Sequence, residues 1–263
     1  MDPQKTQRKI WHRDQIGSTA SVIQTQTLLT RSLVLDDTAL ILVRQGSKRV
    51  SWEHHDLLLT AGDAVLVTAA CPLDVTNILS AHTGTYAADW LSFPGSLSAA
   101  MPHALYNLSD SFRSAFDHTA AAIIDSTGVP ARVAAKRMEE MTLWLEDFGV
   151  RLAPAKTEKL SLKVRKLVAG DPAREWLAAE VAQHFAMSEA TFRRRLSMEN
   201  AAFQQLLTEV RMCHALTLLQ VTDLSVTQVA LAVGYESPSK FTVRFRSRFG
   251  FNPGQIHAKM ALA

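Results

Sequence analysis

The stretch SEATFRRRLSMEN, Ser188 to Asn200, sets three arginines between Phe192 and Leu196. Large apolar residues four apart share one side of a helix, so this helix has a core face. A helix turns about 100° per residue; with Phe192 at zero, Leu196 falls at about 40° and Arg194 at about 200°. Arg194 therefore points away from the core, with Ala190 and Ser197 on the same outer side. Arg193 and Arg195 take opposite flanks, so the three cations cannot share one task. A charge run on a helix is ordinarily a solvated face. Its surroundings argue for more.

The same unit occurs twice. LAAEVAQHF, AMS and EATFRRRL make the first copy; VTQVALAVG, YES and PSKFTVRF make the second. Each reads as a short helix, a tight turn, and a helix with two large apolar residues four apart among basic ones. That is the helix-turn-helix pattern, whose second helix lies in a DNA major groove. In the first copy, Leu177, Val181, His184 and Phe185 fall on one amphipathic face. In the second, Ser225 and Gln228 have capping-box spacing, and Gly234 stands where a left-handed residue ends a helix. Ser237 and Pro238 form an N-cap and a first helical residue. The long helix AFQQLLTEVRMCHALTLLQ joins the copies. At about 18 residues it spans roughly 27 Å, against about 34 Å between successive major-groove faces. Both second helices, 188–199 and 237–249, fit on one side of a duplex.

Charge divides the same way. The formal net charge is +3 for 28 Lys+Arg and 25 Asp+Glu. Residues 157–263 carry 14 Lys+Arg and 9 Asp+Glu, leaving 14 and 16 for the rest. A mildly acidic first part joined to a basic second part points to a polyanionic partner for the second.

Over roughly residues 160–257 the arrangement resembles the AraC/XylS family of bacterial transcription regulators. Leu177, Val181, Ala182, Met187, Ser188, Phe192, Arg194 and Leu196 carry the likeness in the first unit; Phe203, Arg211, Ala215, Leu218 and Leu219 carry it in the connecting helix. Val229, Ala230, Gly234, Tyr235, Ser237, Phe241, Phe245, Arg246, Phe249, Gly250 and Pro253 carry it in the second unit. The resemblance implies two units reading adjacent major-groove segments of double-stranded promoter DNA. It also implies an upstream domain for ligand sensing or dimerisation, and RNA polymerase as a partner of an activator. Ala190, Thr191, Arg193, Arg194, Arg195 and Ser197 are the expected contacts of the first helix; Ser239, Lys240, Thr242, Val243 and Arg246 are those of the second. Arg194 is placed for a guanine edge, Arg193 is the second candidate reader, and Arg195 suits phosphate or a neighbouring carboxylate. Two positions depart from the family: Val243 stands where arginine is usual, the arginine shifting to Arg244, and Asn200 replaces a glycine. A groove-facing valine can touch a thymine methyl but cannot pair with guanine. Asparagine tolerates the left-handed cap.

Upstream, Ser21 to Phe93 has a β texture of short apolar runs such as ALILVRQG, KRVSWEHH and DLLLTAGDAVLVTA, broken at Gly46, Gly62 and Gly84. Strands at this spacing predict a small barrel or sandwich, here a cupin-like barrel. From about Ser109 the period becomes helical. Ala134, Met138, Met141, Leu145 and Phe148 recur at steps of 4, 3, 4 and 3, a two-stripe seam. That seam suits a helix packed on its own barrel or a homodimer helix equally, and makes these five the candidate dimerisation residues. The fold class is thus α+β: a sensing or dimerisation domain over 1–150, a linker over 151–159, and an all-α double helix-turn-helix domain over 160–263.

Other chemistry finds little purchase. Cys71 and Cys213 are far apart without metal spacing, which fits a reducing cytoplasm. No signal core or membrane-length apolar run stands out. Trp52, Trp90, Tyr86 and Phe93 read as core. His54 and His55 point to opposite faces if both lie on a strand, and His82 and His103 have no fixed relation to them. No metal or cofactor is expected and no enzyme. The contrasting readings are a metal-dependent cupin enzyme fused to a DNA-binding domain, and a regulator controlled by a protein partner.

Overall fold

The computed structural model describes residues 9–69, 71–93, 97–99, 101–154 and 159–256. The chain divides into two compact units, one mainly of residues up to 154 and one mainly of those that follow. The first unit runs β1 (Trp11–Arg13), β2 (Gly17–Gln24), β3 (Leu28–Leu33), β4 (Ala39–Gln45), β5 (Ser47–Trp52) and β6 (His55–Thr60). It continues through β7 (Ala64–Val67), β8 (Leu73–Ile78), β9 (Tyr86–Ser92), β10 (Leu97–Ser98) and β11 (His103–Leu105). Helices α1 (Asp110–Ile124) and α2 (Ala131–Asp147) and the short β12 (Ala153–Pro154) complete it.

Two antiparallel sheets form, in the orders β1-β2-β9-β4-β7-β11 and β3-β8-β5-β6. The period-two alternation along β4 explains how they stack. Leu40 and Leu42 pack in one cluster with Phe112, Phe116 and Met141 of the helices. Val43 packs in another with Val50, Leu59 and Val75 of the four-stranded sheet. The six-stranded sheet is therefore the middle layer. Its β7, AVLV, is buried along its whole length, as a strand covered on both faces requires. Arg13 donates 2.6 Å hydrogen bonds to the Ala122 and Val129 carbonyls, tying β1 to the end of α1 and the start of α2.

The seam on α2 faces inward. Ala134, Met138, Met141 and Leu145 are buried in the cluster that holds α2 on α1 and the six-stranded sheet, and Phe148 packs against it. Met138, Met141 and Leu145 each contribute about 1.5–3 kcal/mol by leaving water. These five therefore fill their own domain rather than form a surface for a second copy, which corrects the dimerisation assignment. The expected linker is corrected too: Ala153 and Pro154 pair with β10, and residues 155–158 lie outside the described residues. Tyr86 and Phe93 are fully buried and Trp52 nearly so, while Trp90 is half-buried. His54 and His55 are exposed at the β5–β6 hairpin, with His55 stacked on Trp52. His82 is exposed and His103 half-buried.

The second unit is helical: α3 (Leu160–Ala169), α4 (Ala178–His184), α5 (Glu189–Met198), α6 (Phe203–Val221), α7 (Val226–Ala232) and α8 (Pro238–Phe249). Among the described residues, no helix is long and apolar enough to cross a membrane.

Candidate nucleic-acid interface

Helix α5 begins where Ser188 accepts the Thr191 amide, satisfying a donor the helix itself leaves unpaired. Phe192 and Leu196 are fully buried, Phe192 edge-on to Phe203 of α6 at 5.8 Å. This anchoring turns Ala190, Arg194 and Ser197 outward, and all three are exposed. Arg193 and Arg195 are exposed on the flanks. Of the two roles expected for Arg195, phosphate or a neighbouring carboxylate, the carboxylate goes to the other flank. Arg193 is the arginine that meets a carboxylate, Glu189 one turn back at 2.6 Å. Arg195 makes no ion pair with a described residue. Thr191 is half-buried and its hydroxyl accepts from Ser188, so it serves the cap.

The second unit repeats the construction. Ser225 and Gln228 form the reciprocal capping box at the start of α7. Ser237 caps α8 through the Lys240 amide, with Pro238 in the first turn. Phe241, Phe245 and Phe249 are buried, and Phe245 contacts Phe241, Phe249 and Phe251 at ring separations of 4.8–5.8 Å. Val243 consequently stands 71% exposed, an apolar residue held in water on the outer face. Ser239, Lys240, Arg244 and Arg246 are exposed around it, and Thr242 is half-buried.

The turns differ in a way the sequence comparison missed. In the second unit Gly234 sits at φ 78° and Tyr235 donates back to the Ala230 carbonyl. In the first, Met187 makes the matching bond to Ala182, and the left-handed residue is Ala186 at φ 53°. An alanine there costs about 1–2 kcal/mol relative to relaxed backbone. The first turn is also one residue shorter, which hid the equivalence. Asn200 holds the left-handed position after α5, at φ 55°. Leu177 and His184 are exposed rather than on the buried face of α4; Trp176 fills that role, its indole N–H bonded to the Asp171 carbonyl.

Helix α6 holds the two units to each other. Its Glu209 carboxylate lies 3.7 Å from Arg165 on α3 and 3.9 Å from Arg248 on α8. Its Arg211 donates to the Pro172 and Arg174 carbonyls, both at 2.9 Å, ahead of α4. Gly234 of the second turn approaches that same arginine and the Ala173 carbonyl so closely that a Cβ would stand 2.8 and 2.9 Å from them. One further carboxylate, Glu199, accepts the Leu160 and Ser161 amides and caps α3 from the end of α5. Burial works to raise the Glu199 carboxyl, but the bonds from Ser161 and Leu160 hold it below the usual range. Among the described residues, no three His, Cys, Asp or Glu side chains gather to hold a metal.

The outward faces of α5 and α8 can meet a phosphodiester backbone and base edges; they offer no nucleophile–base pair. Residues 181–259 match a family model described as a helix-turn-helix domain. The chain is similar to the HTH-type transcriptional regulator GadX of Escherichia coli K12, 31% identical over 123 residues, which are 46% of this chain and 45% of that one. It is 37% identical over 94 residues to the DNA-binding dual transcriptional regulator Rns of Escherichia coli, 36% of each chain. The virulence regulon transcriptional activator VirF of Shigella flexneri is 30% identical over 112 residues, 43% of each. The chain spans under half the length of these curated relatives. Over nearly its whole length its fold is that of ToxT from Vibrio cholerae. An apo variant gives TM-score 0.64 at 15% identity, covering 93% of this chain and 97% of that one. ToxT bound to an unsaturated fatty acid gives 0.54 at 13%, covering 96% and 95%.

Proposed function

We propose that this chain, whose C-terminal domain belongs to the AraC/XylS family, is a sequence-specific transcription regulator that binds promoter DNA through α5 and α8. The observation that carries the reading is the doubled helix-turn-helix, each second helix anchored by buried aromatics so that its polar or basic residues face out. The mechanism follows from charge and shape. Arg194, at the outermost position of α5, reaches a guanine edge with two parallel hydrogen bonds. Arg195 and Arg246 neutralise phosphate and fix register. Val243 contacts a thymine methyl, so the α8 segment prefers A·T pairs. Activation fits the relatives' names, and RNA polymerase is then the partner. The first unit serves as the regulatory domain. The ligand-bound ToxT, of the same fold, favours a small effector over control by a protein. The inward-facing α2 seam removes the original argument for a dimer through those five residues.

Fluorescence anisotropy of the full chain on its promoter fragment tests this. Affinity that falls steeply with salt is expected; salt-insensitive or absent binding overturns it. In the same assay Arg194→Ala is expected to cost about 1–3 kcal/mol on a cognate site and to relax preference at one base pair. Unchanged affinity and selectivity would remove Arg194 from the reading surface.

A further inference from the structure

The outward line of α5 ends on an apolar residue that its fold does not use. Met198 is the last residue of the helix and stands 79% exposed, more than any other large apolar residue among the described residues. Val243, on the outer face of α8, follows at 71%. One exposed apolar side chain on a protein surface is ordinary. Here the two most exposed fall one on each reading helix.

Geometry sets Met198 beside Arg194. At about 100° per residue from Phe192, Met198 lies at about 240°, within about 40° of Arg194 and one turn further along. Ala190, Arg194 and Met198 thus form one exposed line at four-residue spacing. A solvated helix face ordinarily carries charged and polar residues. This line holds one cation between two apolar side chains. The floor of a major groove matches that mixture, because guanine offers acceptors and thymine a methyl group.

The end of α5 is also held. Helix ends ordinarily fray. Here the next residue, Glu199, accepts the Leu160 and Ser161 amides of α3 at 2.9 and 2.8 Å. The amides of Glu199 and Ala201 donate to the Leu196 carbonyl and that of Asn200 to the Ser197 carbonyl, at 2.9–3.0 Å. The Met198 backbone therefore stands on fixed structure while its side chain is in water. An unbranched thioether with three rotatable bonds fits itself to an irregular apolar surface.

We propose that Met198 is a base-reading residue, which packs its thioether on the C5-methyl of a thymine near the guanine that Arg194 reads. Four residues of helix rise about 6 Å and base pairs stack about 3.4 Å apart, so the thymine lies about two base pairs from the guanine. Cytosine at that pair would remove the methyl and leave an amino donor facing sulfur, a weak acceptor. Each half of the site then has one apolar reader, Met198 in the first and Val243 in the second. The assignment rests on the reading of α5 as a DNA-binding helix.

The test begins with random-sequence duplexes selected by the full chain. Each thymine of the selected site is then replaced singly by deoxyuridine, which removes the methyl and keeps the pairing. Fluorescence anisotropy reads the affinities. Expected is a thymine about two base pairs from the guanine whose preference Arg194→Ala relaxes. Deoxyuridine there should weaken wild-type binding about fourfold, the worth of one buried methyl. Met198→Ala should bind the unmodified site more weakly and no longer distinguish thymine from deoxyuridine at that pair. Met198 is exposed and alanine is the best helix former, so this variant should fold. Deoxyuridine without effect near that guanine overturns the proposal. So does a sensitivity that survives Met198→Ala, which belongs to another residue. A loss in Met198→Ala that is equal on thymine and deoxyuridine duplexes places the residue on the sugar–phosphate backbone and overturns it as well. In these three cases the selected site still stands, and the regulator reading with it; selection that yields no site overturns both.

Discussion

Phe245→Ala should cost the helical unit about 3–5 kcal/mol, the range for emptying a buried aromatic position. Phe245 is fully buried at the junction of Phe241, Phe249 and Phe251. Its removal leaves a void between α8 and the segment that follows, which neighbouring rings fill only in part. Urea denaturation followed by far-ultraviolet circular dichroism reads the loss as an earlier helical transition. Phe245→Leu keeps most of the volume and should retain most of the stability. A cost under about 1 kcal/mol for the alanine variant would mean that α8 is held mainly by its caps and by Arg248. Promoter affinity should fall with stability, because Val243 and Arg246 are aimed only while the aromatic anchor is in place.

Gly234→Ala combines two penalties that a second glycine separates. At φ 78° any side chain pays for the left-handed backbone, about 1–2 kcal/mol. The new Cβ would also meet Arg211 at 2.8 Å and the Ala173 carbonyl at 2.9 Å. Backbone cannot swing aside as a flexible side chain can, so the Arg211 bonds to Pro172 and Arg174 must yield. Each charge-assisted bond is worth about 1.5–3 kcal/mol, so with even one of them lost the combined cost is expected to be about 2.5–5 kcal/mol. Gly250 sits at φ 84° with open space at its Cβ position, so Gly250→Ala should show the backbone penalty alone. Equal destabilisation of the two variants by denaturation would dismiss the packing role of Gly234. A larger loss at Gly234 should bring weaker binding on a two-segment site than on a single segment, because the approach it breaks joins the two units.

The second domain was legible because its signals are local. Ser225 with Gln228, Ser237 with Pro238, and phenylalanines four apart each dictate structure within one turn of chain. The residues that a helix-turn-helix aims outward follow from those that it buries. Where reading failed, the deciding partner lay elsewhere. The α2 stripe has the same spacing whether it meets its own sheet or another molecule. Arg193 turned to Glu189 because glutamate four residues ahead of a basic residue favours an ion pair, a local signal that was overlooked. Ala186 escaped notice because alanine is not the residue expected in a left-handed turn. The buried Lys48 drew no reading in KRVSW, although it shares the period-two face of Val50 and Trp52. That shared face was the available clue.

The ties from Glu209 and Arg211 give α6 a metric meaning. Nineteen helical residues measure about 28 Å, and because both units are held to this rod, the reading surfaces of α5 and α8 keep a set separation and angle. Adding one base pair between two DNA segments displaces the second by about 3.4 Å and rotates it by on the order of 35°. A target with every correct base but the wrong spacing would meet one helix and miss the other. Part of the protein's selectivity then resides in a length, which no single base contact records.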